Sequence, residues 1–401
     1  MNPDLPSERT DVWLFITALC VGGAEKTLVE LANGLDADGY DVTVWTVFET
    51  NPLAAELRSG IPVRTLTSCG RVENGAVVAV TDRTAYLTVP LRFCYAAYRE
   101  RPDVIHSFLL FDNLIAGVAG LIVPSTVVTG VRLVPDDEGR VRTLFRRVAV
   151  RLSDRIVSNS ETGRDLAVDR GADPERVTVI GNGRDVSRYH AGSGAAVRSE
   201  LDVGEDELVV GTVGRLLERK GHFELLTAWA QVRERGIDAR LVLVGDGADR
   251  EALEARAEEL GCADSVEFPG MRDDVPDVLA AMDVFAFPSH YEGMPGSVIE
   301  AMAAGLPIVA TPVDGTAELL ESYRTGLFVP VEAPTDLGWA ITRLVESPSL
   351  RWALGNAAQR HARTTLTIDA MVDRFEAFYR ELDGETTDRR PTEDGSVPQA
   401  Q

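Results

Sequence analysis

The chain has 401 residues, 45% of them hydrophobic, enough to bury two substantial cores and to make two or three domains the expectation. Its formal net charge is −23, with 63 acidic against 40 basic residues, which excludes nucleic acid as a partner because a phosphate backbone is held through clustered cations. Cys20, Cys69, Cys94 and Cys262 show no paired spacing, no signal segment opens the chain and no apolar run reaches membrane-spanning length, so reduced thiols and a cytoplasmic location are expected.

In chain order, a strand is expected over residues 12–19, then a Gly22-Gly23 turn opening a helix through Leu35, then a strand over 40–48. Short apolar runs mark further strands at 63–66, 104–108, 127–129, 155–159 and 177–180, with helical stretches between them. Alternation of this kind specifies a parallel sheet covered on both faces. A polar, glycine-rich stretch at 191–199 interrupts the pattern, which restarts at Leu208 with strands at 209–214, 240–244, 265–268, 284–288, 307–310 and 326–329. The expected class is therefore α/β, with two doubly wound parallel-sheet, Rossmann-like domains and a ligand cleft between their carboxyl ends. After Pro334 the chain reads as helical, and residues 368–382 carry Met371, Val372, Phe375, Phe378 and Tyr379 at helical spacing. From Asp383 onward it is too polar to bury and reads as a disordered acidic tail.

The chemistry concentrates at 285–306, FAFPSHYEGMPGSVIEAMAAGL, where a buried strand ends, a loop carries Glu292, and a helix starting near Pro295 to Ser297 carries Glu300. The free N–H groups and positive dipole of a helix start favour a phosphate or diphosphate, and Gly293 and Gly296 allow close backbone approach. Carboxylates touching a diphosphate would repel it, so these two suit hydroxyls on sugars at either end, as in a nucleotide sugar. Taken alone, the pair serves equally as a helix cap and a solvated helix residue. Upstream, the strand 209–214 runs into Arg215-Leu-Leu-Glu-Arg-Lys220-Gly221, which aims two cations at one point beyond the strand end, where a diphosphate would be neutralised. Only Lys26 and Lys220 are lysines among the 40 basic residues, and both lie beside glycines in candidate ligand loops. Arginine in place of lysine, together with the acidic excess, reads as a halophilic composition suited to screened charge at high salt.

With these motifs in order, the chain resembles the retaining glycosyltransferases of family 4, which have the GT-B fold, over almost its whole length. Glu292 and Glu300 match the two-glutamate motif, Arg215 and Lys220 the diphosphate pair, Val21-Gly-Gly-Ala-Glu-Lys26 the glycine loop facing the donor, and Ile180-Gly-Asn-Gly-Arg-Asp185 the segment closing the first domain. The resemblance implies that Glu300 holds the ribose hydroxyls and that Glu292 lies near the reacting carbon of the transferred sugar. It also implies that backbone at Gly23 and from Gly293 through Met294 and Gly296 to Ser297 receives the phosphates, and that Met271 and Arg272 lie near the base. It implies domains at 1–190 on the acceptor side and 191–365 on the nucleotide-sugar side, a helix at 366–383 crossing back to the first domain, and a tail at 384–401. No cofactor and no metal are expected, and none of the five histidines is spaced as a metal ligand set.

One departure is Pro102-Asp-Val-Ile-His106-Ser-Phe108, where family members often carry a second histidine at the position of Phe108. His106 is then either a catalytic residue set deeper or a satisfied core histidine. A second ambiguity is the run from Arg140 to Arg155, with six arginines and one acid. Its stripe of Val141, Leu144, Phe145, Val148 and Leu152 either packs on the first sheet or lies against an anionic membrane. The expected function is hexose transfer from a nucleoside diphosphate sugar to a hydroxyl acceptor, a lipid-linked or surface-glycan saccharide, at the inner face of a membrane. A non-catalytic nucleotide-sugar sensor on the same fold is the alternative that Phe108 keeps open.

Overall fold

The computed structural model describes residues 9–389 except 21, 38, 50, 69, 74–75, 81–83, 133–138 and 205; Val21, Cys69 and the tail from 390 thus lie outside the described residues. The first domain holds β1 (Asp11–Ile16), β2 (Asp41–Phe48), β3 (Val63–Thr67), the antiparallel hairpin β4 (Gly70–Glu73) and β5 (Ala76–Val80), β6 (Val104–Ser107), β7 (Thr126–Val131), β8 (Arg155–Ser158) and β9 (Val177–Val179). Seven of these form a parallel sheet in the order β3-β2-β1-β6-β7-β8-β9. The second domain's β10 (Leu208–Val213), β11 (Ala239–Val244), β12 (Val266–Gly270), β13 (Val284–Phe287), β14 (Ile308–Ala310) and β15 (Leu327–Phe328) form a parallel sheet in the order β12-β11-β10-β13-β14-β15. Two Rossmann-like units of this kind are the GT-B arrangement expected from the sequence. The hairpin had no counterpart in that reading, because it adds no strand to either sheet.

The strands are nearly continuous apolar runs because helices cover both faces. On one side of the first sheet Phe15 and Phe93 stack at 4.2 Å with Trp13 and Trp45 around them. On the other side the helix Gly23–Ala37 shares a core with Met371, Phe375, Phe378 and Tyr379 of the terminal helix Ile368–Arg389, which has returned to the first domain. That helix runs past Asp383, where polarity had suggested its end, since a helix satisfies its backbone internally even where no side chain is apolar. The segment before the second domain threads beneath its start: Arg184 N–H donates to Leu366 O at 2.9 Å, and any side chain at Gly183 would run into the Thr367 carbonyl.

Within each sheet the winding reverses at one place, between β1 and β6 and between β10 and β13. Loops leaving neighbouring strands in opposite directions open a crevice there.

The helix Arg140–Leu152 corrects one expectation. Ala149 and Val150 are its buried residues, whereas Val141, Leu144 and Val148 of the anticipated stripe are exposed. Phe145 and Leu152 are half-buried, Leu152 against Gly117, so the stripe as a whole does not pack on the sheet.

Candidate functional site

β10 and β13 are hydrogen-bonded neighbours, with Val210 opposite Val284, so the loops after them emerge side by side. Gly221, at φ 69°, folds the turn Glu218–Lys220 down onto the second loop, and a side chain there would strike the Pro288 carbonyl. Lys220 Nζ consequently bonds directly to Glu292 Oε1. The same carboxylate accepts from Ser289 Oγ at 2.7 Å and Arg219 Nη1 at 3.1 Å, while the Glu292 N–H donates to Asp314 Oδ2 at 3.0 Å. Glu292 is 7% exposed. Burial opposes its charge, but Lys220 and then Arg219 outweigh that and hold its pKa below the ordinary carboxylate range. Arg215 is exposed on the same loop, near enough for its charge to act on Lys220. Arg215, Arg219 and Lys220 against Glu292 and Asp314 leave an excess of positive charge suited to a diphosphate.

The helix Gly296–Ala304 follows, and its N-cap, Pro295, gives no side-chain cap, so the N–H groups at Gly296 and Ser297 keep their positive end open to an anion. Gly293 O accepts from Gly315 N at 2.8 Å, which fixes the turn. Met294 is part of that turn and also bridges the domains: Asn182 N donates to its sulfur at 2.9 Å and Asn182 Nδ2 to its carbonyl at 3.0 Å. Across the cleft, Gly23 starts the helix Gly23–Ala37, and an added Cβ there meets nothing within 4 Å.

One turn into the second-domain helix, Glu300 is 5% exposed. Arg184 Nε lies 3.5 Å and Lys26 Nζ 3.9 Å from its Oε1, and the Tyr189 hydroxyl hydrogen-bonds to it. The two glutamates thus stand on either side of the open helix start, each already held by cations.

Two expected site residues lie in other surroundings. His106 is 1% exposed, stacks on Phe108 at 4.6 Å and shares a 2.7 Å hydrogen bond between Nδ1 and the Tyr379 hydroxyl. Burial, then Arg132, pushes its pKa down to about 3. Arg132 covers Phe108 at 5.0 Å. Of the two readings left open, His106 is therefore the satisfied core histidine: it and Phe108 lie on one face one step apart along the chain, and both are 1% exposed. Arg272 is gripped by Asp274 at 2.8 and 2.7 Å and by Glu200 at 2.5 Å, which raises its pKa and leaves its guanidinium committed to carboxylates instead of a base, while Met271 is 60% exposed.

Arg219, Ser289, Asp314, Arg184 and Tyr189 were not anticipated. Arg219 adjoins Lys220 in a turn that puts both on one carboxylate, but the partners of Arg184 lie far away in sequence and left no local signal. Among the described residues no group of His, Cys, Asp and Glu is arranged to hold a metal ion, and no helix is long and apolar enough to cross a membrane.

Residues 21–188 match the family described as Glycosyltransferase Family 4, and residues 195–361 match Glycosyl transferases group 1. A D-inositol 3-phosphate glycosyltransferase of Thermomonospora curvata is 31% identical, covering 89% of this chain and 90% of its own length. One of Rhodococcus jostii is 37% identical over 59% of this chain and 56% of its own. Among solved structures, Anabaena HepE in complex with UDP superposes with a TM-score of 0.80 at 22% identity, covering 93% of this chain and 100% of that one. Sucrose-phosphate synthase from Thermosynechococcus elongatus does so with a TM-score of 0.81 at 21% identity, covering 94% and 100%. At these identities the two structures speak to the fold alone.

Proposed function

Since the chain belongs to the group 1 and family 4 glycosyltransferases and is a hexosyltransferase that uses a nucleotide sugar, we propose that it transfers a hexose from a nucleoside diphosphate donor to a hydroxyl acceptor with retention of anomeric configuration. The observation that carries this is that Arg219 and Lys220 meet on Glu292, just before the uncapped start of the helix Gly296–Ala304 that carries Glu300, with Arg215 exposed on the same loop as Lys220. The acceptor oxygen bonds to the anomeric carbon as the bond to the diphosphate breaks, and the acceptor proton passes to a diphosphate oxygen. The cations stabilise the negative charge that grows on the leaving group, where preorganised charge lowers a barrier most, so the reading requires no metal ion. Lys220 keeps two N–H donors for phosphate after its bond to Glu292. Glu292 orients the sugar and balances positive charge at its anomeric carbon, and Glu300 accepts from the ribose hydroxyls. With His106 enclosed, the leaving diphosphate is the base that this geometry supports.

For the acceptor we favour a lipid-linked or surface-glycan saccharide reached at the inner face of a membrane. Most exposed large hydrophobics among the described residues lie on three consecutive helices of the first domain: Leu87, Leu91 and Tyr95 on Ala85–Glu100, Leu121 just after Leu110–Gly120, and Val141 and Leu144 on Arg140–Leu152. The last is also the arginine-rich helix, and Phe111 meets Phe145 at 6.4 Å to join two of the three. An apolar face flanked by cations in a chain of net charge −23 suits anionic lipid. HepE was solved with UDP and with UDP-glucose, and the curated relatives are named for inositol 3-phosphate, so these define the first donor and the competing acceptor to assay.

The test is release of nucleoside diphosphate from a panel including UDP-glucose, at high salt, with membrane extract or inositol 3-phosphate, beside Glu292→Gln and Lys220→Ala. Release that needs one donor, one acceptor and both residues supports the reading, and the anomeric coupling in the product's proton spectrum decides retention. Release unaffected by either substitution would overturn the assignment of the site.

A further inference from the structure

Arg184 is 1% exposed, and a guanidinium so deep is stable only when its charge is matched. Its Nη1 donates to Glu30 Oε2 at 2.7 Å and to Gly183 O at 2.7 Å. Its Nε faces Glu300 Oε1 at 3.5 Å, with no hydrogen-bond partner among the described residues. A side chain at Gly296 would run into the guanidinium, so the glycine that opens the phosphate-facing helix also makes room for Arg184. Glu30 stands on the helix Gly23–Ala37 of the first domain and Glu300 on Gly296–Ala304 of the second, and Arg184 lies on the segment joining the domains.

We propose that Arg184 is a positioning residue: by spanning Glu30 and Glu300 it holds the Glu300 carboxylate aimed at the ribose of the donor. The proposal rests on the assignment of Glu300 to the ribose made above. Burial, offset in part by Arg184 and worsened by the nearby Glu300 carboxylate, pushes Glu30 up to about 7. Without the guanidinium between them, Glu300 would share its site with a like charge and with Lys26 alone as counter-ion, 3.9 Å away. Repulsion between the two carboxylates would then turn Glu300 away from its present line, and a turned carboxylate cannot accept from both ribose hydroxyls.

The experiment is calorimetric titration of the full-length protein with UDP, GDP and ADP and with their 2′,3′-dideoxy counterparts, carried forward with the nucleotide that binds. The wild type should prefer the ribonucleotide by about 10- to 100-fold, the worth of hydrogen bonds to a charged group. Glu300→Gln and Arg184→Met should bring that ratio to within about threefold, with donor KM raised far more than kcat is lowered. Arg184→Lys keeps the charge that matches Glu30 but has one nitrogen, which cannot reach both carboxylates; it is the second variant, read in place of Arg184→Met should that one fail to fold, and its ratio should fall between the two. Folded Arg184 variants that keep the wild-type ratio would overturn the positioning role while leaving Glu300 at the ribose. A wild type that does not distinguish ribose from dideoxyribose, or that binds none of the nucleotides, or a Glu300→Gln variant that still discriminates, would overturn the ribose assignment and this proposal with it.

Discussion

Replacing Lys220 with methionine preserves its stem and removes its ammonium. The side chain is 13% exposed and that of Glu292 9%, so the pair is largely withdrawn from water. Removing one partner of a buried pair costs about 3–5 kcal/mol when the other is left alone. Glu292 is not left alone: Arg219 at 3.1 Å and Ser289 at 2.7 Å remain. The expected loss is therefore about 2 kcal/mol, with Lys220→Met/Glu292→Gln losing less than the sum of the single changes by about 1–3 kcal/mol. Catalysis should fall more steeply, by about 10²–10³ in kcat, because a fixed charge at the leaving group acts in the transition state. Urea unfolding at high salt reads the first effect, and initial rates of nucleoside diphosphate release read the second. Should Lys220→Met lose stability yet keep kcat/KM within about threefold of wild type, Lys220 is only the counter-ion of Glu292 and the argument for its role in transfer is wrong.

Three further outcomes follow from the geometry. His106 has a folded-state pKa of about 3 against an ordinary 6.5, so the stability tied to its neutral form is complete above pH 6.5 and is lost as pH falls from 6.5 towards 3, at most about 5 kcal/mol. His106→Phe should therefore flatten the urea midpoint between pH 6.5 and 4, and parallel wild-type and variant curves would contradict the burial argument. Gly221→Ala forces a side chain into left-handed backbone against the Pro288 carbonyl, and should cost about 1–3 kcal/mol and lower donor turnover more than tenfold, as activity and unfolding assays would report. Leu91→Glu with Leu144→Glu should abolish co-sedimentation with vesicles of phosphatidylglycerol without changing the unfolding free energy by more than about 0.5 kcal/mol, since both side chains are exposed; wild-type protein that fails to sediment, or sediments equally with phosphatidylcholine, removes the lipid reading.

The sequence by itself determined whatever is local to one strand, loop and helix. Each Rossmann-like unit repeats a pattern whose period is set by backbone geometry, so the parallel sheets and the loops at their carboxyl ends were legible before any packing was known. Arg215, Lys220 and Glu292 stood out for the same reason, since each lies in the loop that follows a strand, and Glu300 because it lies one turn into the helix that the second loop opens. Only the tertiary structure decided the rest. Glu30 and Arg184 are 154 residues apart and His106 and Tyr379 are 273 apart, so nothing in local spacing relates them. The helix Arg140–Leu152 is the clearest case, since periodicity reveals an apolar stripe but not which side of the helix meets the sheet. There Ala149 and Val150 took the buried positions, Phe145 and Leu152 are half-buried, and Val141, Leu144 and Val148 face outward.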